Sequence, residues 1–248
     1  MNNVRAFATA KSCNNAIRVY LNRHYESPAP VAIDIPLDPS VRENLIIAEL
    51  LALRHGLSVL HLAANRLHGS GIRAICSFGA IRKLTRHDSA FAHLAPYAQF
   101  LCTRYAGAVV EVDNRRPVWA DDSLVTAVYE IDNKPVFEKI ESVMGPLLPT
   151  SHVIERVVER NICSDKTSAF RVMHNHLTND IVELGWSADA SKRCRQKHGQ
   201  TSRLLYHVGS RTMYVVAEDK RHSCPVIVTA YTVLDKYFKT NGIERKVA

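Results

Sequence analysis

The chain has 248 residues, enough for one large hydrophobic core or two ordinary ones, and two is the better expectation. With 46% hydrophobic and 23% charged residues it reads as a folded soluble protein: no run approaches the roughly 18 apolar residues of a membrane span, and Met1 to Asn15 lacks the apolar core of a signal peptide. The net charge of +8 is uneven, since residues 1–145 hold 16 Lys/Arg against 14 Asp/Glu and residues 146–248 hold 16 against 10, which points to a polyanion, most simply nucleic acid, as partner of the second half.

Val4 to Ala10 is a strand candidate, Ser12 to Asn15 a turn, and Ala16 to Leu21 a half-buried strand whose Ile17, Val19 and Leu21 alternate with Arg18 and Tyr20. Val31 to Leu37 is a third strand, confined near an edge or terminus by Pro36. Three strands in succession predict an antiparallel meander. Val41 to Leu67 then reads as one long helix, stopped by His68-Gly69-Ser70-Gly71. Within it Glu49 shares a face with Leu45, Ile46, Ala52 and Leu53. Either it is partly exposed at the edge of the apolar stripe, or its carboxylate has a partner, a metal or a cleft, because desolvating it alone is costly. Ile72 to Ser77 is a fourth strand, Gly79 to Tyr105 a second helical region, Ala108 to Val112 a fifth strand, and Leu124 to Tyr129 a last helix after Trp119-Ala120-Asp121-Asp122-Ser123. A strand, crossover helix and strand require parallel pairing, so the sheet is expected to be mixed.

The order β-β-β-α-β-α-β-α, with AELLAL on the first helix and WADDSLV after the fifth strand, resembles the ribonuclease H fold over about residues 4–130. That resemblance implies two divalent metals held by four carboxylates. Here it assigns Glu49 to the helix position and Asp121 or Asp122 to the last-helix position. Thr9 and Cys76-Ser77 stand where the family has its other two acids, so the expectation is a scaffold that has lost catalysis and holds no metal tightly.

Asn133-Lys134-Pro135 and Met144 to Pro149 punctuate the next stretch. A short helix is expected over Val136 to Val143, and a linker divides domains at 1–145 and 146–248. Thr150-Ser151 are N-cap candidates for a helix in which His152, Arg156 and Arg160 form a stripe opposite Val153, Ile154, Val157 and Val158. Ser164 is expected to cap a helix over Asp165 to His174. Asn179 to Trp186 is a strand or connection, and Asp189 to His198 a basic loop with Lys192, Arg193, Arg195 and Lys197 as nucleic-acid contacts. Arg203 to Val208 and Arg211 to Ala217 form a hairpin about Gly209-Ser210, with Gly209 supplying positive φ, and Pro225 to Leu234 is a third strand before a charged tail. The six cysteines, without a CxxC pair, suggest free thiols in a reducing cytoplasm, and zinc at His174, His176 and Cys163 or Cys194 lacks the usual spacing.

Two helices followed by an antiparallel sheet, with SHVIERVVER, RLLYHVGSRTMYVVAED and VIVTAYT, resemble the bacterial ribonuclease toxins grouped with RelE, ParE and the barnase–colicin fold, over about residues 150–234. The fold class expected for the whole is therefore α/β (α+β). The resemblance implies a metal-independent endoribonuclease acting on RNA without a cofactor, and an antitoxin or immunity protein as partner. Such chemistry needs a base, an acid and cations on the phosphate. His152, Arg156, Arg160, His207, Arg211 and Tyr231, with Tyr214, offer those groups. Each has a plainer reading: a helix-terminal His152, Arg156 and Arg160 paired with Glu155 and Glu159, tyrosines packed in a sheet. A non-catalytic nucleic-acid-binding protein of a plasmid or phage, or a metal-dependent nuclease using Glu49 with Asp121 or Asp122, are the alternatives.

Overall fold

A computed structural model of the chain describes residues 2–10, 16–23, 29–64, 66–186, 189, 191–192, 195–196, 202–233 and 244–245. The protein is α/β and has two compact units, Met1–Phe137 and Glu138–Ala248, each with its own mixed sheet. No described helix is long and apolar enough to cross a membrane.

In the first unit β1 (Asn2–Ala10), β2 (Ile17–Asn22) and β3 (Val31–Ile35) form the expected antiparallel meander. Helix α1 (Arg42–Ser58) leads to β4 (Ile72–Cys76), which lies parallel to β1. Helices α2 (Gly79–Leu84) and α3 (Ala95–Cys102) precede β5 (Val109–Val112), parallel to β4, and β6 (Ala127–Glu130) closes the far edge parallel to β3. The strand order is β5-β4-β1-β2-β3-β6. Val4, Ala6, Ile17, Val19, Leu21, Ile33 and Ile35 form one core with Ile46, Leu50, Leu53 and Leu57 of α1. Every residue from Ile46 to Leu53 is buried, because this middle stretch of α1 is apolar on all sides but for Glu49 and is covered on all sides. At Gly56 a Cβ would lie 2.8 Å from Leu21 Cδ1 and 3.1 Å from Leu62 Cδ1, so a larger residue there would push the ends of those leucine side chains aside.

Three expectations are corrected here. The first helix ends at Ser58, not Leu67, and the turns that follow place His61 and Ala64 at φ 51° and 61°, outside helical space. The second helical region is two short helices joined through a 3₁₀ turn at Ala92–Leu94. The last helix is a 3₁₀ turn, Asp122–Leu124, followed by β6. A six-residue helix is marginal by itself, whereas the same residues as a strand satisfy the backbone of β3 from Val31 to Asp34.

The second unit holds β7 (Ile140–Ser142), β8 (Gly145–Pro149), α4 (Ser151–Glu159), α5 (Lys166–Thr178), β9 (Ile181–Gly185), β10 (Arg203–His207), β11 (Thr212–Ala217), β12 (Val226–Thr232) and β13 (Glu244–Arg245). Its strand order is β13-β9-β10-β11-β12-β8-β7, antiparallel throughout except β12 with β8. The expected helix at 136–143 contains β7 instead, and the expected linker is β8, with Leu147 and Leu148 buried and Gly145 at φ 96° making the tight turn. The units therefore divide at Phe137/Glu138. Thr150 caps α4, its Oγ1 accepting from Val153 N at 3.1 Å, but α5 is capped by Asp165 rather than Ser164. The hairpin turn spans four residues, Val208 to Arg211, and Arg211 rather than Gly209 takes the positive φ of 53°.

Candidate functional site

Residues spaced by four lie along one face of a helix, and on α4 this sets His152, Arg156 and Arg160 in line. The buried Val153, Ile154 and Val157 fix the opposite side. Arg156 Nε–H donates to His152 Nε2 at 3.1 Å, while its Nη1 pairs with Glu159 at 2.6 Å. Arg156 and Glu159 are 39% and 55% exposed, so this pair contributes only about 0–1 kcal/mol and opens easily. Arg160 reaches β12: its Nη1 donates to the Ala230 carbonyl and, at 3.1 Å, to Thr229 Oγ1, and its Cζ lies 5.7 Å from the centre of the Tyr231 ring. Of the described pairings, β8 covers only Val226 and Ile227 of β12, so Arg160 occupies strand edge that β8 leaves uncovered. Four expected residues, His152, Arg156, Arg160 and Tyr231, thus belong to one strip along α4 and β12.

His207 and Arg211 do not join them. Alternation along β10 and β11 puts His207 on the α5 side, whereas Tyr231 packs with Leu204, Tyr206 and Met213 on the other side. Arg211 serves the turn, where its carbonyl accepts from Val233 N at 2.9 Å. His207 stacks on His176 of α5 with ring centres 4.3 Å apart and planes 8° from parallel. Ser210 N–H donates to His207 Nδ1 at 3.1 Å, which places the proton of the neutral ring on Nε2. His176 Nδ1 meets the hydroxyl of buried Tyr214 at 2.8 Å, and Ser210 Oγ lies 2.7 Å from His207 Nδ1. Sequence reasoning missed His176 as a partner because it ended α5 at His174. With the helix running to Thr178, His176 lies three residues after buried Met173 and beside buried Leu177.

Burial first, and then His207, push His176 down to about 4, and burial lowers His207 against the opposing pull of Asp180. Folding therefore favours the neutral rings. Their contribution is whole above the ordinary value of 6.5 and is lost as pH falls from there towards 4. Allowing for the solvent that reaches a half-buried ring, the loss at His176 should be about 1–2 kcal/mol. Urea unfolding at pH 7, 5.5 and 4 checks this: His176→Phe keeps a stackable ring and should flatten the wild-type decline. Parallel declines would show that the pair does not titrate with folding.

In the first unit Glu49 is fully buried. Its Oε1 accepts from Ala8 N at 3.1 Å and its Oε2 from Ser77 N at 2.8 Å. The pairing of β1 with β4 ends at Arg5, and beyond that point the carboxylate bridges the two diverging backbones. It is not an edge residue. Burial pushes it up to about 7, against the N–H groups of Ser77 and Ala8. The neighbouring Cys76 thiol is buried and raised to about 12, by desolvation and then by Glu49.

Asp121 and Asp122 are engaged elsewhere. Asp121 caps its own turn, accepting from Ser123 N and Oγ at 2.8 and 2.7 Å. Asp122 accepts from Arg18 Nη1 at 2.6 Å and Tyr20 OH at 2.8 Å, and Arg18 also grips Asp34 at 2.7 and 2.8 Å. Arg18 and Tyr20 alternate with Ile17, Val19 and Leu21, which face α1, so the sheet separates Asp122 from Glu49. Among the described residues no three His, Cys, Asp or Glu side chains group closely enough to hold a metal.

Lys192 and Arg195 are exposed and helical rather than looped, while Arg193 and Lys197 lie outside the described residues. Comparison with protein-family models, curated proteins and solved structures finds no match for the chain.

Proposed function

We propose that the second unit is a metal-independent endoribonuclease of the RelE, ParE and barnase–colicin type, and that the first is a ribonuclease H-like scaffold without a two-metal centre. The observation that carries the first claim is the strip formed by His152, Arg156, Arg160 and Tyr231 along α4 and the edge of β12. It supplies an imidazole, a guanidinium held by one weak surface pair, and a second guanidinium fixed beside an aromatic ring. A substrate phosphate draws Arg156 away from His152, because a bidentate phosphate contact is stronger than its exposed pairing with Glu159. That releases the Nε2 lone pair of His152, which takes the proton of the 2′-hydroxyl, while Arg156 offsets charge on the pentacoordinate phosphorus. The 2′-oxygen then bonds to phosphorus, and the bond to the 5′-oxygen breaks as that oxygen takes a proton from water. Protonated His152 returns its proton to the resulting hydroxide, and the products are a 2′,3′-cyclic phosphate and a 5′-hydroxyl. A partner that covers this exposed strip would act as the antitoxin.

For the first unit, the central β1 flanked by antiparallel β2 and β3 on one side and parallel β4 and β5 on the other supports the ribonuclease H-like reading. Thr9 and Cys76-Ser77 replace two of the family's acids, Glu49 is committed to two backbone N–H groups, and Asp122 is bound to Arg18.

The test is cleavage of a broad set of RNAs in EDTA, with end-group analysis. Cleavage should persist, leave cyclic phosphates, and fail on DNA or on RNA carrying 2′-O-methyl at the cut site. Binding without any cleavage would replace this reading by that of a non-catalytic nucleic-acid-binding protein.

A further inference from the structure

Between the N-terminal turn of α4 and the loop joining β11 to β12 lies an open groove of about 700 Å³, with His152 in its wall. Its floor includes Val226 and Val228. The register of β11 against β12 slips between Val215 and Val216, so Val228 is the extra residue of a β-bulge. The bulge turns this valine outwards, and it is 42% exposed. The rim carries Glu218, Asp219, Lys220, Arg221 and His222. Asp219 and Arg221 neutralise each other through a two-pronged pair at 3.0 and 2.7 Å. A track for phosphate has a clear excess of cations. In formal charge the lining holds two acids against two bases, with His152 and His222 as further donors and acceptors. Around apolar Val226 and Val228 this instead suits a flat, uncharged group that both donates and accepts hydrogen bonds.

We propose that this groove seats a nucleobase of single-stranded RNA, the one adjoining the phosphate held by Arg156 beside His152. The placement beside His152 rests on the ribonuclease reading above, whereas the choice of a base over a phosphate rests on the groove itself. An unpaired base can lay its apolar face on Val226 and Val228 while its polar edge meets the rim.

Calorimetry on the full chain distinguishes these layers, using the four 3′-nucleoside monophosphates, ribose 3-phosphate and inorganic phosphate. At least one nucleotide should bind tenfold or more tightly than ribose 3-phosphate. Val228→Asp should remove that advantage, and Val228→Ser, the milder change, should reduce it with the unfolding midpoint unchanged. Arg156→Ala should weaken nucleotide and ribose phosphate by the same factor. Equal affinity for nucleotides and ribose 3-phosphate, or an advantage that survives both Val228 changes, would overturn the proposal. RNA cleavage scored in parallel separates the two readings: cutting without a base advantage sinks the groove alone, and a base advantage without cutting sinks the nuclease alone.

Discussion

Replacing His152 by Ala is expected to slow RNA cleavage by about 10²–10⁴-fold, the usual contribution of a general base, without moving the unfolding midpoint. The residue is exposed on the first turn of α4, and nothing in the core leans on it. Arg156→Lys keeps the charge but gives up the two-pronged phosphate contact that offsets charge in the transition state, so kcat should fall more than KM rises. Arg160→Ala should behave differently. Arg160 bonds to Thr229 and Ala230 and lies beside Tyr231, so its loss should cost about 1–3 kcal/mol of stability as well as activity. Single-turnover rates with urea titrations separate the three. A His152→Ala protein that cuts at the wild-type rate would remove the strip from the mechanism.

The largest stability effect should come from Glu49. Glu49→Ala leaves the part-buried N–H groups of Ala8 and Ser77 without their acceptor, at about 1–3 kcal/mol each, and leaves a cavity, so a loss of about 3–5 kcal/mol is expected. Glu49→Gln retains one acceptor but aims an amide NH₂ at the second donor, and should fall between. The pH dependence is distinctive. Because the folded value lies near 7, above the ordinary 4.5, the carboxyl stabilises the fold fully below 4.5 and progressively less as pH rises from there to about 7, where the contribution is lost. The advantage of wild type over E49Q should therefore narrow by about 3 kcal/mol across that window. The direction is opposite to that expected of the His176–His207 pair, so the two sites can be told apart in one titration series. A gap that widens with pH would mean that the two N–H donors, rather than burial, govern the carboxyl.

The sequence by itself determined much of the framework. Period-two alternation at Ile17, Val19 and Leu21 marked the side of β2 that meets α1, and the apolar spacing around Glu49 predicted a helix there, though one running on to Leu67 and with Glu49 either at the edge of its apolar stripe or partnered. Thr150 marked the start of α4, and spacing by four placed His152, Arg156 and Arg160 together, because each of these rules acts within one or two turns of chain. Tertiary structure decided whatever depended on a distant partner. Residues 127–130 carry no strong preference between helix and strand, and the unsatisfied edge of β3 made them a strand. Leu147 and Leu148 sit among glycine and prolines that read as a linker, but burying them beside β12 made that segment β8. Burial of Glu49 could be suspected from its neighbours. That backbone N–H groups from two diverging strands answer it, and that Asp122 lies beyond the sheet, follows only from how β1, β2 and β4 are arranged. The separation of His207 from Tyr231 has the same origin: alternation was legible within each strand, but which face each would show was fixed only by pairing and by where α5 packs.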